Sequence, residues 1–231
     1  MYDPKSSTAT EFIDDAEVRA SIEFARANRD NAELIDSVIE KARAAKGLGH
    51  REAALLLECR IPEANEKIFA LARELKLRFY GKRIVLFAPL YLSNYCVNGC
   101  TYCPYHARNQ EICRRKLSQE DIRREVIALQ DMGHKRLALE TGEHPEISPV
   151  EYVLESIRTI YSIKHKNGAI RRVNVNIAAT TVENYRKLKA AGIGTYILFQ
   201  ETYHKENYEI LHPTGPKHNY RSEERRVGKE C

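Results

Sequence analysis

The chain has 231 residues, 43% of them hydrophobic and 30% charged, with a formal net charge of +5. That length suits one large domain or two small ones, and the apolar share is enough for a real core. No apolar run approaches the ~20 residues a spanning helix needs, no dense Lys/Arg block marks a nucleic-acid face, and "MYDPKSSTATEFIDD" carries no secretion signal. A cytoplasmic protein is expected, without membrane or nucleic-acid partners. In a reducing compartment its six cysteines are not expected to form structural disulfides, and a tight cysteine cluster points to a metal site or catalysis.

Residues 8–80 read as helical. "TEFIDDAEVRASIEFARANRD" and "NAELIDSVIEKARAAKG" carry apolar residues at helical spacing, with Leu34, Ile35, Val38, Ile39 and Ala42 on one stripe. "HREAALLLECR" is a short helix stopped before Pro62. The stretch "PEANEKIFALARELKLRFYG" opens on a proline suited to a first helical turn and ends at Gly81. Residues 1–81 therefore form a helical N-terminal region.

After Gly81 the pattern changes. The run 83–93, "RIVLFAPLYLS", is nearly all apolar, as in a strand buried on both faces. Helix 118–132 follows, opened by Ser118 and Asp121 as a capping box and ended at Gly133. Then come strand 135–141, helix 149–166 led by Pro149, strand 170–179, helix 181–191 after Thr180, and strand 195–201. Strands alternating with helices imply a parallel sheet of α/β class, with about four β/α units. In such folds the chemistry collects at the C-terminal ends of the strands. The last stretch, 221–231, has no periodicity and no apolar face, and reads as a non-native or disordered tail.

Three cysteines, Cys96, Cys100 and Cys103, follow the first strand with C-x3-C-x2-C spacing. Thiolates are soft ligands that suit zinc, copper(I) and iron–sulfur clusters. A structural zinc takes four closed ligands, so His106 or Cys113 would have to complete such a site. Alternatively, three thiolates leave one iron of a 4Fe-4S cluster open to a substrate or cofactor. Tyr102 and Tyr105, between and after the ligands, favour the cluster, which needs an apolar shield, and a planar cofactor needs a ring to pack on. At the second strand end, "ALETGEHPE" places a glycine, which allows close backbone approach, beside Glu143, a carboxylate suited to an ammonium group. On the third strand Asn174 and Asn176 share a face, which suits either a polar ligand or a hydrogen-bonded core pair.

"CVNGCTYC" after an apolar first strand resembles the signature of the radical S-adenosylmethionine (radical SAM) enzymes. The resemblance implies a full or partial β/α barrel, a 4Fe-4S cluster on Cys96, Cys100 and Cys103, and S-adenosylmethionine chelating the unligated iron. It places Tyr102 beside the adenine and Gly142 and Glu143 at the methionine amino group, although Thr141 stands where the family has a first glycine. "LFQETYH" is similar to the ribose-binding strand of biotin-synthase-like members, which makes Gln200 and Thr202 ribose contacts. Glu201 there would face the substrate or pair with a nearby base such as Arg171.

Nearly all of 1–220 resembles the N-terminal half of the tyrosine lyases, most of all the maturase of the di-iron hydrogenase H-cluster. "HREAALLLECR", "LYLSNYCVNGCTYCPYH", "IKHKNGAIRRVNVNIAATTVENYRKLKAAGIGTYILFQETYH" and "LHPTGPKH" carry the match. The resemblance implies Cα–Cβ cleavage of L-tyrosine to p-cresol and dehydroglycine. In the maturase, dehydroglycine goes on to carbon monoxide and cyanide at a second cluster. In 2-iminoacetate synthase, which serves thiamine synthesis, dehydroglycine is the product. It also implies an electron donor such as ferredoxin or flavodoxin, hydrogenase-maturation proteins as partners, and an anaerobic organism. Family members are longer, so residues 82–220 are expected to form an incomplete barrel with an open edge, in a fragment whose full turnover is doubtful.

Two readings from other classes stand beside this one. A non-catalytic zinc module would use Cys96, Cys100, Cys103 and His106. An inert truncated product would be insoluble on expression. Among the remaining residues, Cys59 reads as a buried helical thiol and Cys113 as incidental, while His106 and His204 follow strand-end motifs.

Overall fold

The computed structural model describes residues 14–166 and 168–220. The tail expected at 221–231, and the first helical residues expected from position 8, lie outside the described residues. Within them the chain forms two compact units, 14–85 and 86–220.

The first unit is all helix: α1 (Asp15–Asn28), α2 (Ala32–Arg43), α3 (His50–Glu58) and α4 (Pro62–Tyr80). Local chemistry sets the ends. Asp14 caps α1 by accepting the Ala16 and Glu17 N–H groups, Asn31 caps α2 through Leu34 N–H, and Pro62 opens α4. The apolar stripe of α2 buries Ile35, Val38 and Ile39 against Leu55, Cys59 and Leu71. Each such side chain contributes about 1.5–3 kcal/mol on leaving water.

The second unit is built on a three-stranded parallel sheet. Its strands are β1 (Ala88–Ser93), β2 (Arg136–Thr141) and β5 (Arg172–Asn176), in the order β1-β2-β5. Helices α5 (Gln119–Asp131) and α6 (Val150–Ser162) follow β1 and β2 in sequence, α7 (Val182–Ala190) follows β5, and α8 (Lys205–Leu211) comes last. A small antiparallel pair, β3 (Lys164–His165) and β4 (Gly168–Ala169), lies between α6 and β5. Ser118 and Asp121 form a reciprocal capping box at the start of α5.

Strand alternation gives the sheet two different faces. Leu90 and Leu92, Leu137 and Leu139, Val173 and Val175 pack into one core with Ile122 and Val126 of α5, Ile157 and Ile160 of α6, and Leu188 of α7. The opposite face carries Tyr91, Glu140 and Asn176. These three stand side by side in register near the C-terminal ends of the strands. A partial β/α barrel thus presents a polar row on its inner face and a hydrocarbon core on its outer one.

Five expectations about these elements are corrected. The strand expected over 83–93 begins only at Ala88, and Ile84 to Phe87 are each more than half exposed. An apolar run signals material for burial, not a hydrogen-bonding partner, and the β1–β2 ladder starts only at Ala88 paired with Leu137. Within β1 only one face is buried, because Pro89 and Tyr91 point away from the core. The helix expected over 149–166 stops at Ser162, where Ile163 turns extended (ψ 116°) and buries its side chain. The strand expected over 170–179 shortens to Arg172–Asn176.

The strand expected over 195–201 forms only an isolated parallel bridge between Tyr196 and Val175. β5 ends at Asn176, the Tyr196 hydroxyl meets the Ile177 and Ala178 carbonyls, and Glu201 takes a left-handed φ of +67°. The ladder has nothing further to pair with. Among the described residues, no helix is long and apolar enough to cross a membrane.

Candidate functional site

The loop after β1 carries the three cysteines over the C-terminal edge of the sheet. Neighbouring segments hold its backbone on several sides. Val97 N–H donates to the Glu143 carbonyl at 2.8 Å, and Gly142 N–H donates to Ser93 at 2.9 Å. Gly99 and Thr101 N–H groups donate to Thr214 and Leu211 carbonyls, each at 2.9 Å. Arg114 closes the far end: its guanidinium donates to the carbonyls of Asn94 (2.5 Å), Tyr105 (2.9 Å), His106 (2.8 Å) and Asn109 (3.1 Å). A planar five-donor fork is suited to this convergence.

Cys96, Cys100 and Cys103 border one cavity of about 250 Å³, together with Tyr102, Tyr105, Gly142 and Glu143. All three are free thiols. The polar row Tyr91, Glu140 and Asn176 forms part of the same lining. Gly142 is where the second strand end touches the cysteine loop. A Cβ there would stand 2.4 Å from the Tyr95 carbonyl oxygen and 3.0 Å from Cys96 Cβ, so only glycine fits this approach. A second cavity, of about 390 Å³, shares Thr141, Gly142 and Glu143.

Burial sets the electrostatics. It pushes the Cys100 thiol up, with Lys217 pulling the other way. Burial, with Cys100 and Glu201 nearby, holds the Tyr102 phenol far above its usual range. Tyr105 is raised by burial as well. Glu140 is raised by burial, partly offset by the Asn176 amide, which donates to its Oε2 at 2.6 Å.

The remaining expected residues are placed differently from one another. Gln200 is 6% exposed, and among the described residues neither its amide oxygen nor its nitrogen has a hydrogen-bond partner. The Thr202 hydroxyl accepts the His204 N–H at 3.1 Å. Glu201 borders the cavity and pairs with Lys217 Nζ at 3.0 Å, not with Arg171. His204 caps α8 by accepting Asn207 N–H. Cys113 is exposed and Cys59 is buried. Among the described residues, no group of three or more His, Cys, Asp or Glu side chains gathers as for a single metal ion. Neither His106 nor Cys113 borders the cavity that the three cysteines line.

A family model described as the radical SAM superfamily matches residues 90–226, more than half of the chain. The chain belongs to the radical SAM superfamily. Radical SAM proteins work with a 4Fe-4S cluster and S-adenosylmethionine, and the cavity fits that pair. Three soft donors border it, a polynuclear cluster takes one thiolate per ligated iron, and Gln200, between the lining residues Phe199 and Glu201, is buried with no side-chain partner among the described residues.

The structure of HydG, a maturase of the [FeFe]-hydrogenase, is similar with a TM-score of 0.88 and 53% identity, covering 92% of this chain and 46% of that one. HydG from Carboxydothermus hydrogenoformans gives a TM-score of 0.84 and 40% identity over 96% of this chain and 51% of its own. The 2-iminoacetate synthase of Salmonella typhimurium is 32% identical over 182 residues, which is 79% of this chain and 46% of that protein. The chain spans about half the length of these relatives.

Sequence reasoning passes over several residues that build this radical SAM site: Asn98, Arg114, Glu140, His212 and Lys217. Glu140 was accessible from strand alternation, since it shares a face with Ala138 and sits level with Asn176. Asn98, His212 and Lys217 act across long sequence separations, and Arg114 serves backbone carbonyls, so none of them leaves a local pattern.

Proposed function

We propose that residues 82–220 form the cluster- and S-adenosylmethionine-binding part of a radical SAM carbon–carbon lyase acting on L-tyrosine, and that residues 1–81 are an accessory helical region. The products would be p-cresol and dehydroglycine, the latter serving hydrogenase H-cluster assembly through carbon monoxide and cyanide. The observation that carries this reading is the 53% identity to HydG over 92% of the chain.

Cys96, Cys100 and Cys103 hold the cluster as thiolates. When bound, the cluster supplies the electron that splits S-adenosylmethionine into methionine and a 5′-deoxyadenosyl radical. Tyr102 and Tyr105 pack beside the cofactor. Gly142 lets the backbone approach it, and Glu143 takes its ammonium group. Gln200 and Thr202 serve the ribose. Glu201 stays at the cavity wall, paired with Lys217. A ferredoxin- or flavodoxin-class donor and hydrogenase-maturation proteins are the partners this function calls for.

Anaerobic reconstitution with iron and sulfide tests the reading. Uptake of about four irons per chain, lost on Cys→Ala exchange at positions 96, 100 and 103, is the expected result. With S-adenosylmethionine, reductant and tyrosine added, chromatography should then find 5′-deoxyadenosine and p-cresol. A colourless protein holding one zinc would overturn it. The 32% identity to 2-iminoacetate synthase favours a second reading, in which dehydroglycine is the end product and no carbon monoxide or cyanide appears.

A further inference from the structure

Asn98 lies between the first two cysteines and is 3% exposed. Its Oδ1 accepts the backbone N–H of Lys217 at 2.9 Å. A backbone N–H can only donate, so this contact fixes which end of the amide is oxygen. Nδ2 therefore faces the cavity side with two protons to give. Glu143 Oε2 stands 2.6 Å from it and Cys96 Sγ 3.7 Å. The backbone carbonyl of Asn98 is used too, by Ala107 N–H at 2.7 Å. Gly215 makes the arrangement accessible: with φ +91° it passes so close that a Cβ would lie 2.5 Å from Asn98 Oδ1 and 2.7 Å from its Cα.

We infer that Asn98 is a positioning residue that couples the cluster thiolate of Cys96 to the ammonium-binding carboxylate of Glu143. The inference rests on the roles proposed above for those two residues. One amide proton aligns the carboxylate. Because the donor is neutral, it orients Glu143 without adding a positive charge that would compete with an incoming ammonium. The other proton points at a ligating sulfur. Hydrogen bonds to cluster sulfurs stabilise the reduced state and raise the reduction potential. A single buried side chain thereby tunes both the electron source and the grip on the molecule that receives the electron, and the Lys217 N–H holds it in the one orientation that can do both.

The test uses the reconstituted full chain and two variants. Asn98→Asp keeps the acceptor for Lys217 N–H but removes both protons and sets a carboxylate against Glu143. Asn98→Ser is too short to reach either partner and adds no charge. Midpoint potentials come from an electron-paramagnetic-resonance titration, and S-adenosylmethionine affinity from calorimetry. Both variants should show a more negative potential and roughly tenfold weaker S-adenosylmethionine binding, with Asn98→Asp the weaker of the two. If Asn98→Asp fails to hold a cluster, Asn98→Ser carries the test alone. Unchanged potential and affinity in a cluster-loaded variant overturn the coupling while leaving the proposed function standing. A parent chain that takes up neither cluster nor S-adenosylmethionine overturns both.

Discussion

The Tyr102 hydroxyl stands 2.8 Å from Nε2 of His212, a residue 110 positions later in the chain. The two rings meet edge to face with centroids 5.5 Å apart. His212 is fully buried, and its Nδ1 lies 2.9 Å from the Tyr208 carbonyl. That carbonyl can only accept, so Nδ1 carries the proton and Nε2 is left to receive the phenol. The backbone of α8 thus chooses the tautomer that ties down the aromatic residue between the second and third cysteines.

His212→Phe should therefore destabilise the fold. It keeps a ring of similar size but removes both ring-nitrogen bonds, the one to the Tyr102 hydroxyl and the one to the Tyr208 carbonyl, which keeps only the backbone N–H of residue 212. A loss of about 1–3 kcal/mol is expected in urea denaturation. Adding Tyr102→Phe should cost less than the two single losses summed, since both remove the same bond.

The same histidine sets a pH dependence. Burial holds its pKa below the ordinary 6.5. The native state thus resists a proton that the unfolded chain accepts. The stability it secures is complete above about 6.5 and declines as pH falls toward the lowered native value. Denaturation midpoints measured from pH 8 to pH 5 should show this decline, and His212→Asn should flatten it.

Glu140 behaves in the opposite sense. Its pKa is raised above 4.5 by burial, so its ionised form is the strained one. Glu140→Gln keeps an acceptor for the Asn176 amide and removes the charge. At pH 7 the variant should be more stable than the parent, by less than about 1 kcal/mol given the partial exposure of the site. The gap should close as pH falls through the raised pKa and the parent carboxyl protonates. Parallel thermal scans at pH 7 and pH 4.5 would read it.

Gly142→Ala forces a methyl group against the Tyr95 carbonyl and Cys96 Cβ. Backbone cannot yield as a flexible side-chain end can, so a cost of about 1–3 kcal/mol is expected. The strain falls on the first cysteine, and iron content after reconstitution should drop together with stability. Gly133→Ala, at a helix end with open space around it, faces only its φ of +93° and should leave iron content intact.

Arg114→Lys retains the charge but cannot reach four carbonyls at once. Amide hydrogen exchange of the segment 94–109 should accelerate, while that of α5 and α6 should not change. Equal protection in both places would show that the guanidinium is not what fastens the loop.

The legible parts of this molecule are those whose cause is local. Pro62 and Gly81 bound α4, and Ser118 with Asp121 starts α5, because a cap is made within a few residues. The three cysteines stand out for the same reason: their spacing is short enough to be read as one unit. The elements that read wrongly depended on neighbours. Residues 195–201 have the composition of a strand but pair at one point, since β5 stops at Asn176. Residues 84–87 are apolar but do not join the ladder, which begins at Ala88. Asn98, Arg114, His212 and Lys217 were invisible because a contact over a hundred residues of sequence, or a side chain that serves carbonyls, leaves no periodic trace.

The bonds from Leu211, His212, Thr214 and Lys217 to the cysteine loop also impose an order in time. The loop leaves the ribosome long before the segment that fastens it, and the Asn98 contact spans 119 positions. While α5, α6 and α7 are being made, only the nearer anchors, from Arg114 and then from Gly142 and Glu143, are available to the loop. The full set of contacts around the three thiols exists only once residue 217 has emerged and folded back. The order of segments along the chain thus makes residues 211–217 the last piece added to the walls around the three thiols.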